Sequence, residues 1–507
     1  MAEGISNNKR IAKNTLVLYA RMLFTMLVGL FTSRVVLNTL GVTDYGIISV
    51  VGGVISLFTF LNGGMVSATQ RYLNFELGTG NNERLRSVFS TAMQIHILIA
   101  IGVILLGETI GLWLLLNKLV IPVERMTAAI WVYQFSVITC AVSIISVPYN
   151  AAIIAHERMS AFAYITILDV VLKLLIVYML VLSPYDKLIT YSFLGLLVQL
   201  LNRYIYTHYC HKHFPEAHFN LKVDRQLFKD MFSFAGWSFW GNLAAMLYSQ
   251  GLNMMLNIFF GPVVNAARGI AVQIQSAVQG FVGNFQMALN PQITKNFAAG
   301  DLENMHLLMF RSARFSFLLL FIFALPIMLE IDFILLVWLK TVPPDTAIFA
   351  RLILCVALIY SIANPCVIAN QATGKVKVYQ MVVGGTLLLI LPISYIVLKC
   401  GAPAYSVFIV HFFVESLAQF FRMYMLRKLI NLRLRKYFTN IYLPLLSTVV
   451  ISIILPCAIH TILPIGWLRL FSVGFASVIS VGLAALFIAL SKSERIFVLR
   501  KLHLVRS

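Results

Sequence analysis

The sequence predicts an all-α integral membrane protein of about fourteen transmembrane helices, arranged as two parallel six-helix lobes and a C-terminal helix pair. Three observations predict this fold. Of 507 residues, 60% are hydrophobic and only 11% are charged, and apolar runs of about 20 residues recur throughout. Landmarks of the first half return in the second half. Basic residues concentrate in alternate connections between the apolar runs.

Each apolar run is long enough to cross a hydrocarbon core of about 30 Å at 1.5 Å per residue. The predicted helices are 14–40, 44–70, 87–116, 126–155, 159–182 and 187–207, then 230–260, 262–290, 309–339, 346–372, 376–398 and 402–427, and finally 438–463 and 466–490. We therefore expect an N-lobe at 1–207, a cytoplasmic inter-lobe linker at 208–229, a C-lobe at 230–430, and an extra helix pair with a basic tail at 431–507.

The two lobes are predicted to be copies of one six-helix unit. Two pairs of matching positions lie 220 residues apart, and they are Gly41 with Gly261 and Gly80 with Gly300. Three further pairs lie 217 residues apart, and they are Pro148 with Pro365, Ala155 with Ala372 and Arg158 with Lys375. Copies with an even number of helices face the same way across the membrane. Their symmetry axis then follows the membrane normal, with a cavity between the copies that suits alternating access.

The net charge of +20 indicates the orientation of the protein in the membrane rather than a nucleic-acid partner, because basic residues are concentrated in the cytoplasmic loops of membrane proteins. Predicted inner connections carry about four times as many Lys and Arg residues as outer ones, which predicts that both termini are cytoplasmic. The first apolar run follows basic residues, but it contains Arg21 and Arg34, continues to Leu40 and lacks a small-residue cleavage site. We read it as a retained first helix rather than a signal peptide.

The longest connection, at 208–229, is predicted to be an amphipathic linker on the inner surface. Phe214 and Phe219 are expected to meet lipid there, while Arg225 and Lys229 meet anionic headgroups. The run His208 to His213 has metal-ligand residue types without matched spacing, so no metal site is predicted. Neither a phosphate-cradling glycine loop nor a nucleophile elbow appears, and no cofactor or enzymatic activity is expected.

Arginines at membrane depth are the first candidate site residues. A charge at a helix centre costs about 2.5 to 3.5 kcal/mol, so it needs a partner, a wet cavity or an escape to the interface. Arg34 and Arg268 have similar depths in the two lobes, and guanidinium groups suit phosphate. Arg21 is the third candidate. Because an α-helix turns about 100° per residue, Arg21 and Arg34 project in different directions from the first helix. The alternative is that Arg21 and Arg34 snorkel to water.

Charged pairs at mid-membrane are candidates for ion or proton coupling. Asp169 with Lys173, and His411 with Glu415, are each spaced i, i+4 and so share a helix face. The alternative is that each pair neutralises itself inside the bundle. Three carboxylates nearer the outer surface are expected to reach water, and they are Glu108, Glu330 and Asp332. Glu108 is also a candidate for ion or proton coupling.

Three short motifs resemble those of a known transporter family. The motifs are Leu40-Gly41-Val42-Thr43-Asp44-Tyr45-Gly46, Ser67-Ala68-Thr69-Gln70-Arg71-Tyr72 and Gln371-Ala372-Thr373-Gly374-Lys375. Together with the duplication, they make residues 10–430 resemble the polysaccharide and oligosaccharide flippases, of the lipid-linked O-antigen type. That family belongs to the multidrug, oligosaccharidyl-lipid and polysaccharide exporter superfamily. The final two helices are an addition that some relatives share.

The resemblance implies a V-shaped pair of six-helix bundles in a bacterial inner membrane. It implies export of an undecaprenyl-pyrophosphate-linked oligosaccharide, a repeat unit of surface polysaccharide or O-antigen, from the cytoplasmic to the periplasmic leaflet. Arg21, Arg34 and Arg268 suit the family's cationic cavity by type and depth. The implied partners are membrane lipids, a coupling H⁺ or Na⁺, and a polysaccharide polymerase and glycosyltransferases, with the chain itself a monomer.

Three other functions stay open at this point. A cation-coupled multidrug extruder of the same superfamily would place an unpaired carboxylate in an aromatic-walled cavity, whereas the unpaired buried charges here are mainly cationic. A membrane-embedded glycan polymerase or glycosyltransferase needs catalytic carboxylates on long outer loops, and the predicted loops are short. A scaffold subunit without transport is the third alternative, against which the duplicated lobes argue only indirectly.

Overall fold

The computed structural model describes residues 13–29, 31–32, 35–36, 39–40, 44, 47–48, 51–52, 63–117, 121–182, 184–220, 224–339, 342–491 and 494–496. Helices and short connections account for all of these residues, without a strand among them. Eleven of the described helices are long and apolar enough to cross a membrane. The predicted all-α membrane fold is confirmed.

Most helix bounds lie within five residues of those predicted, but three helices end six to nine residues later and one begins seven residues earlier. The helices are α1 (13–29), α2 (Gly63–Thr79), α3 (Asn82–Asn117), α4 (Met126–Ala155), α5 (Met159–Leu182), α6 (Lys187–His213), α7 (Arg225–Phe260), α8 (Pro262–Ala298), α9 (Leu302–Leu339), α10 (Thr346–Ala372), α11 (Val376–Lys399), α12 (Ser406–Leu429), α13 (Leu434–Ile462) and α14 (Trp467–Ala489). Five residues of the first predicted helix and fourteen of the second lie outside the described residues, so the total of fourteen membrane crossings stays a prediction.

The duplication is visible in how corresponding helices begin. Asn81 caps α3, because its Oδ1 accepts a hydrogen bond from the backbone N–H of Arg84 at 3.0 Å. Asp301, 220 residues later, accepts one from the N–H of Asn304 at 3.0 Å before α9. Each cap follows a glycine in the left-handed region, with φ values of 74° and 77°, at the predicted matching positions Gly80 and Gly300.

Corresponding helices also end alike. Both α4 and α10 end at the predicted alanines, Ala155 and Ala372. The next corner of each copy contains a left-handed residue 217 positions from its counterpart, Glu157 with φ 58° and Gly374 with φ 75°. The corner therefore keeps its backbone shape although only one copy has the glycine that adopts it without strain.

The chain forms two compact units, 1–239 and 240–507, and the boundary between them lies within α7. In unit 1, α4 packs against α3 and α6, around a core that includes Val132, Tyr133 and Val137. The Tyr133 hydroxyl donates to the carbonyl of Gly107 at 2.6 Å, where α3 widens into a π-helical turn over Gly107–Gly111. A hydrogen bond from another helix thus satisfies a carbonyl at the irregular turn.

Arg125 connects Asp44 with the starts of α4 and α6. Its guanidinium contacts Asp44 at 2.5 Å and 2.8 Å and Asp186 at 2.5 Å. Asp186 also caps α6 by accepting from the backbone N–H of Leu188 at 3.0 Å. Burial raises the pKa of Asp186, but the bonds from Arg125 and the backbone N–H groups outweigh it and leave the pKa below its usual value. The motif residue Asp44 therefore has a structural role.

The connection after α6 corrects one expectation. The helix continues to His213, and the next residue, Phe214, is buried rather than facing lipid. Its ring stacks on that of His156 with centroids 4.1 Å apart. The backbone N–H of Asn220 donates to Ser90 Oγ at 3.2 Å. The segment 214–220 thus folds back onto unit 1, while Phe219 stays 41% exposed.

In unit 2, α13 and α14 pack against α9, and two buried charged groups join them. Glu330 is 0% exposed, and it bonds to His460 at 2.8 Å and to Arg469 at 3.0 Å. The expectation that Glu330 reaches water is wrong, because the added helix pair covers it and supplies two partners. Near the other end of α9, Glu494 bonds to Arg311 at 2.9 Å and to Arg314 at 2.9 Å.

Candidate functional site

Unit 1 holds a polar cluster between α5 and α6, which we call the N cluster and define as Arg21, Phe162, Asp169, Lys173, Asn202 and Tyr206. Asp169 Oδ2 bonds to Lys173 Nζ at 2.9 Å, so the i, i+4 pair forms as its spacing indicates. The amide of Asn202 on α6 donates to the other carboxylate oxygen at 2.7 Å. Asp169 thus has two partners, while the Lys173 side chain is half exposed.

Arg21 reaches the same cluster from α1. Its guanidinium lies 4.7 Å from the centroid of the Phe162 ring on α5, a cation–π contact. Tyr206 on α6 interacts electrostatically with both Arg21 and Asp169, and its hydroxyl is hydrogen-bonded to Thr166. Three helices therefore bring a cation, an acid–base pair and aromatic rings together within unit 1.

Two other site residues were predicted in unit 1. Arg34 lies outside the described residues, so its assignment stays a prediction. Glu108 lies in the π-helical turn of α3, where it is exposed and accepts a hydrogen bond from the Gln134 side chain at 3.0 Å. That it reaches water stays a prediction.

Arg268 on α8 is held by neutral groups of α7. Its Nη2 donates to the Ser249 carbonyl at 3.0 Å and to the Ser249 hydroxyl at 3.2 Å, and its Nη1 donates to Asn253 Oδ1 at 3.3 Å. Its Nε is buried without a hydrogen-bond partner in the protein. The guanidinium is thus oriented by the fold, while no carboxylate among these contacts neutralises its charge.

Glu415 on α12 has a different partner from the one predicted. Its Oε1 bonds to Arg422 Nη1 at 2.7 Å, and both side chains are 3% exposed. His411 interacts electrostatically with Glu415, but the close ion pair of Glu415 is with Arg422, because residues seven apart also share a helix face and Arg422 carries a permanent charge. The His411 ring instead meets the Tyr248 ring edge-on, with centroids 5.2 Å apart.

A chain of polar side chains continues from this ion pair through unit 2. Arg422 is also hydrogen-bonded to Tyr379 on α11. One turn earlier on α12, Gln419 donates to Cys366 Sγ at 3.7 Å, and that sulfur lies 3.3 Å from the Tyr437 hydroxyl. We call the C cluster the set Tyr248, Arg268, Tyr379, His411, Glu415, Gln419 and Arg422. Sequence reasoning missed Arg422, which it counted among the cytoplasmic basic residues, although its spacing from Glu415 was a usable signal.

One face of α8 differs from the lipid-facing surfaces of the other described helices. Apart from Val263 near the helix start, its exposed positions as far as 283 are small or polar, and they are Ala266, Gly269, Gln273, Ser276, Ala277 and Gly283. By contrast, α14 exposes Trp467, Phe471 and Phe475. The α8 helix also falls outside the set of eleven apolar spans. A face of this composition gains little from hydrocarbon and suits a water-lined surface.

The described residues contain no group of three or more His, Cys, Asp or Glu side chains that could hold a metal ion. The chemistry that the clusters offer is instead binding and charge compensation. Arginine, tyrosine and amide side chains can donate hydrogen bonds to phosphate or sugar oxygens.

Sequence comparison decides the family. A profile described as "Polysaccharide biosynthesis protein" matches residues 11–297, more than half of the chain. The chain belongs to this family. The resemblance drawn from its motifs is thereby confirmed. No curated protein matches the sequence.

Solved structures share the fold of this family member. A multidrug and toxin extrusion (MATE) transporter in the bent conformation has a TM-score of 0.73 at 12% identity, and the same kind of transporter in the straight conformation has 0.71 at 12%. A MOP superfamily transporter from Pyrococcus furiosus, described as having a binding pocket of reverse polarity, has 0.67 at 13%. Each match covers 84% of this chain and 96% of the other. Family and fold together support a membrane transporter.

Proposed function

We propose that this family member flips a pyrophosphate-linked oligosaccharide lipid from the cytoplasmic to the periplasmic leaflet of a bacterial inner membrane by alternating access. One observation carries the proposal. The three mid-helix carboxylates Asp169, Glu330 and Glu415 each have a cationic partner, whereas Arg268 is held by uncharged groups. Among these four groups of the described residues, the charge without an ionic partner is that of Arg268, and it is positive.

A positive charge of this kind suits an anionic cargo. The contacts of Arg268 with Ser249 and Asn253 fix its guanidinium, so little side-chain entropy remains to be lost on binding. A pyrophosphate oxygen can accept charge-assisted hydrogen bonds from such a group, which are about twice as strong as neutral ones. We propose Arg268, together with Arg21 and Arg34, as the pyrophosphate-binding residues.

The sugar portion of the cargo needs a polar surface along its route. The α8 face with Gln273 and Ser276 offers hydrogen-bonding groups where most described helices present large apolar side chains. Its glycines leave room for bulky hydrated groups. This composition supports a carbohydrate as the transported head group, with the lipid tail remaining in hydrocarbon.

A cation-coupled multidrug extruder is the second candidate, since the shared fold is also that of such transporters. That function calls for a carboxylate able to attract a cationic drug. In the C cluster, Glu415 is already bound to Arg422, and both side chains are buried. The charge distribution therefore favours the anionic cargo.

We further propose that the N cluster pair Asp169 and Lys173 couples transport to a proton or sodium gradient. Lys173 is half exposed and Asp169 partly exposed, so this pair can exchange partners with ions more readily than the buried pair of Glu415 and Arg422. His411, Glu415 and Glu108 are the remaining coupling candidates. A polysaccharide polymerase and glycosyltransferases would be the neighbouring steps of the same pathway.

Flipping by the purified full-length protein in vesicles tests the proposal. The probes are a fluorescent lipid-linked oligosaccharide and, separately, a cationic dye. We expect flipping of the lipid, and we expect Arg268→Gln to slow it about tenfold or more, since hydrogen bonds to charged groups contribute about 1.5 to 3 kcal/mol. Arg268→Lys should retain part of the rate, and Arg351→Gln, at an exposed ion pair, serves as the matched control. Export of the dye without lipid flipping would establish the multidrug function instead.

A further inference from the structure

A cleft of about 830 Å³ opens on unit 2 between the start of α9 and the segment that leads into α13. The distribution of basic residues predicts that this end of the unit is cytoplasmic. The cleft is lined by Asp301, Glu303, Phe310, Asn431, Arg433 and Lys436, among others. It shares no residue with either polar cluster, so it is separate from the proposed transport route.

One wall of the cleft is acidic. Asp301 caps α9, and the backbone N–H and side-chain amide of Asn304 both donate to its carboxylate, at 3.0 Å and 2.6 Å. Those bonds lower the pKa of Asp301 below its usual value, so the group is ionised at neutral pH. Glu303, two residues on, is exposed at the same wall.

The facing wall is basic. Asn431 adopts a left-handed turn with φ 54° after α12, which leads the chain to the exposed residues Arg433 and Lys436. Among the ion pairs of the described residues, none joins Arg433 or Lys436 to Asp301 or Glu303. Within the described residues, the two sides of the cleft thus carry opposite charges that no ion pair joins.

The apolar spans that flank the cleft predict that it lies near the lipid headgroups. Leu307, Phe310 and Ile430 line its apolar part, and Leu307 is 41% exposed. Just beyond Lys436, the start of α13 exposes Phe438 at 56% and Leu443 at 54%, as expected of a helix entering hydrocarbon. Basic residues at this boundary meet phosphate groups of the inner leaflet.

We propose that the cleft binds the headgroup of a zwitterionic phospholipid with a primary ammonium, such as phosphatidylethanolamine. The phosphate lies at Arg433 and Lys436, and the ammonium lies farther from the membrane at Asp301 and Glu303. A ligand with both charges satisfies the two walls at once, which neither a purely anionic headgroup nor a metal cation does. A quaternary ammonium, as in phosphatidylcholine, has no N–H group to donate a hydrogen bond to the carboxylates.

Lipid retention by the purified full-length protein, measured by native mass spectrometry, tests this assignment. The protein is exchanged into equal mixtures of phosphatidylethanolamine, phosphatidylcholine and phosphatidylglycerol. We expect phosphatidylethanolamine to be enriched, with Glu303→Gln and Arg433→Gln each lowering its retention about fivefold, the effect of one charge near the membrane surface. The matched control is Lys428→Gln, an exposed basic residue that does not line the cleft.

Three outcomes would overturn the assignment. Equal retention of the three lipids would show no headgroup site, and preference for phosphatidylglycerol would show attraction to the basic wall alone. Binding of free phosphoethanolamine without any lipid enrichment would make the ligand a soluble metabolite. Unchanged melting temperatures of the variants confirm that changes in retention do not come from unfolding, because both positions are exposed.

Discussion

Glu330 on α9 accepts a hydrogen bond from Arg469 on α14 at 3.0 Å, although 139 residues separate them in the sequence. Glu330 lies where α9 departs from helical geometry, with φ −101° and ψ 15°, four residues after Pro326. His460 on α13 contacts the other carboxylate oxygen at 2.8 Å. Within unit 2, the C-terminal helices α13 and α14 are therefore joined to α9 by a buried charged group.

Replacing Arg469 should destabilise the protein strongly. Arg469→Met leaves a fully buried carboxylate with only His460, and breaking a buried ion pair typically costs about 3 to 5 kcal/mol. We expect a clearly lower melting temperature in detergent than for the wild type. Glu330→Leu combined with Arg469→Met should recover part of the loss, because no unpaired charge remains. The exposed pair Asp332 and Arg351 supplies the control, since its removal should cost about 1 kcal/mol or less.

Arg422→Gln should affect the C cluster more than a surface arginine would. The substitution leaves Glu415 buried without its cationic partner, which destabilises the folded protein. We expect a lower yield of folded protein in size-exclusion chromatography. Glu415→Gln with Arg422→Gln should restore the yield. A stable single variant would show that Glu415 finds another partner.

The ion pairs of Glu494 should make the stability of the folded protein depend on pH. Burial raises its pKa, but Arg314, the Ser491 N–H and Arg311 outweigh this, so the folded pKa lies below its ordinary value. A depressed carboxylate pKa stabilises the fold above the unfolded pKa, and the stabilisation disappears as the pH falls through the folded pKa. Wild type should exceed Glu494→Gln in melting temperature at pH 7, and the difference should shrink below about pH 4.5. A constant difference would show that packing, not charge, is responsible.

The two roles of Asp186 can be separated by substitution. Asn retains an oxygen that caps α6 but loses the charge that binds Arg125, whereas Ala loses both. We expect Asp186→Asn to lower stability moderately and Asp186→Ala to lower it by about 1 kcal/mol more. Thermal unfolding of both variants in the same detergent measures this order. Equal losses would mean that the cap contributes nothing.

Asp169→Asn should change how transport responds to an ion gradient. The substitution removes the partner of Lys173 while keeping a group that can accept from Asn202. We expect flipping in vesicles to lose its dependence on an imposed proton or sodium gradient. Asp332→Asn is the control, because that carboxylate is exposed and near the end of α9. A retained dependence in Asp169→Asn would assign the pair to structure alone.

The sequence predicts local features of this protein well and distant partnerships poorly. The ends of α4 and α10 could be placed at Ala155 and Ala372, because both precede a corner whose backbone shape is set within a few residues. The partner of Glu330 lies more than a hundred residues away, on helices outside the duplication, and no spacing rule reaches that far.

Glu415 shows an intermediate case. The i, i+4 rule selected His411, while a stronger cation two helical turns away formed the bond. Both patterns were present in the sequence, and only the packing of α12 against α11 decides between them. For Arg268, depth and charge were predictable, but the Ser249 and Asn253 side chains that hold it were not.

The anchoring of α9 at both ends has a consequence for how this architecture changes over evolution. A relative that ends after α12 would expose the positions of Glu330 and Arg314 to acyl chains, where neither charge is tolerable. Loss of the last two helices and replacement of those ionisable residues by apolar ones should therefore occur together, and shorter homologues should show that linked pattern.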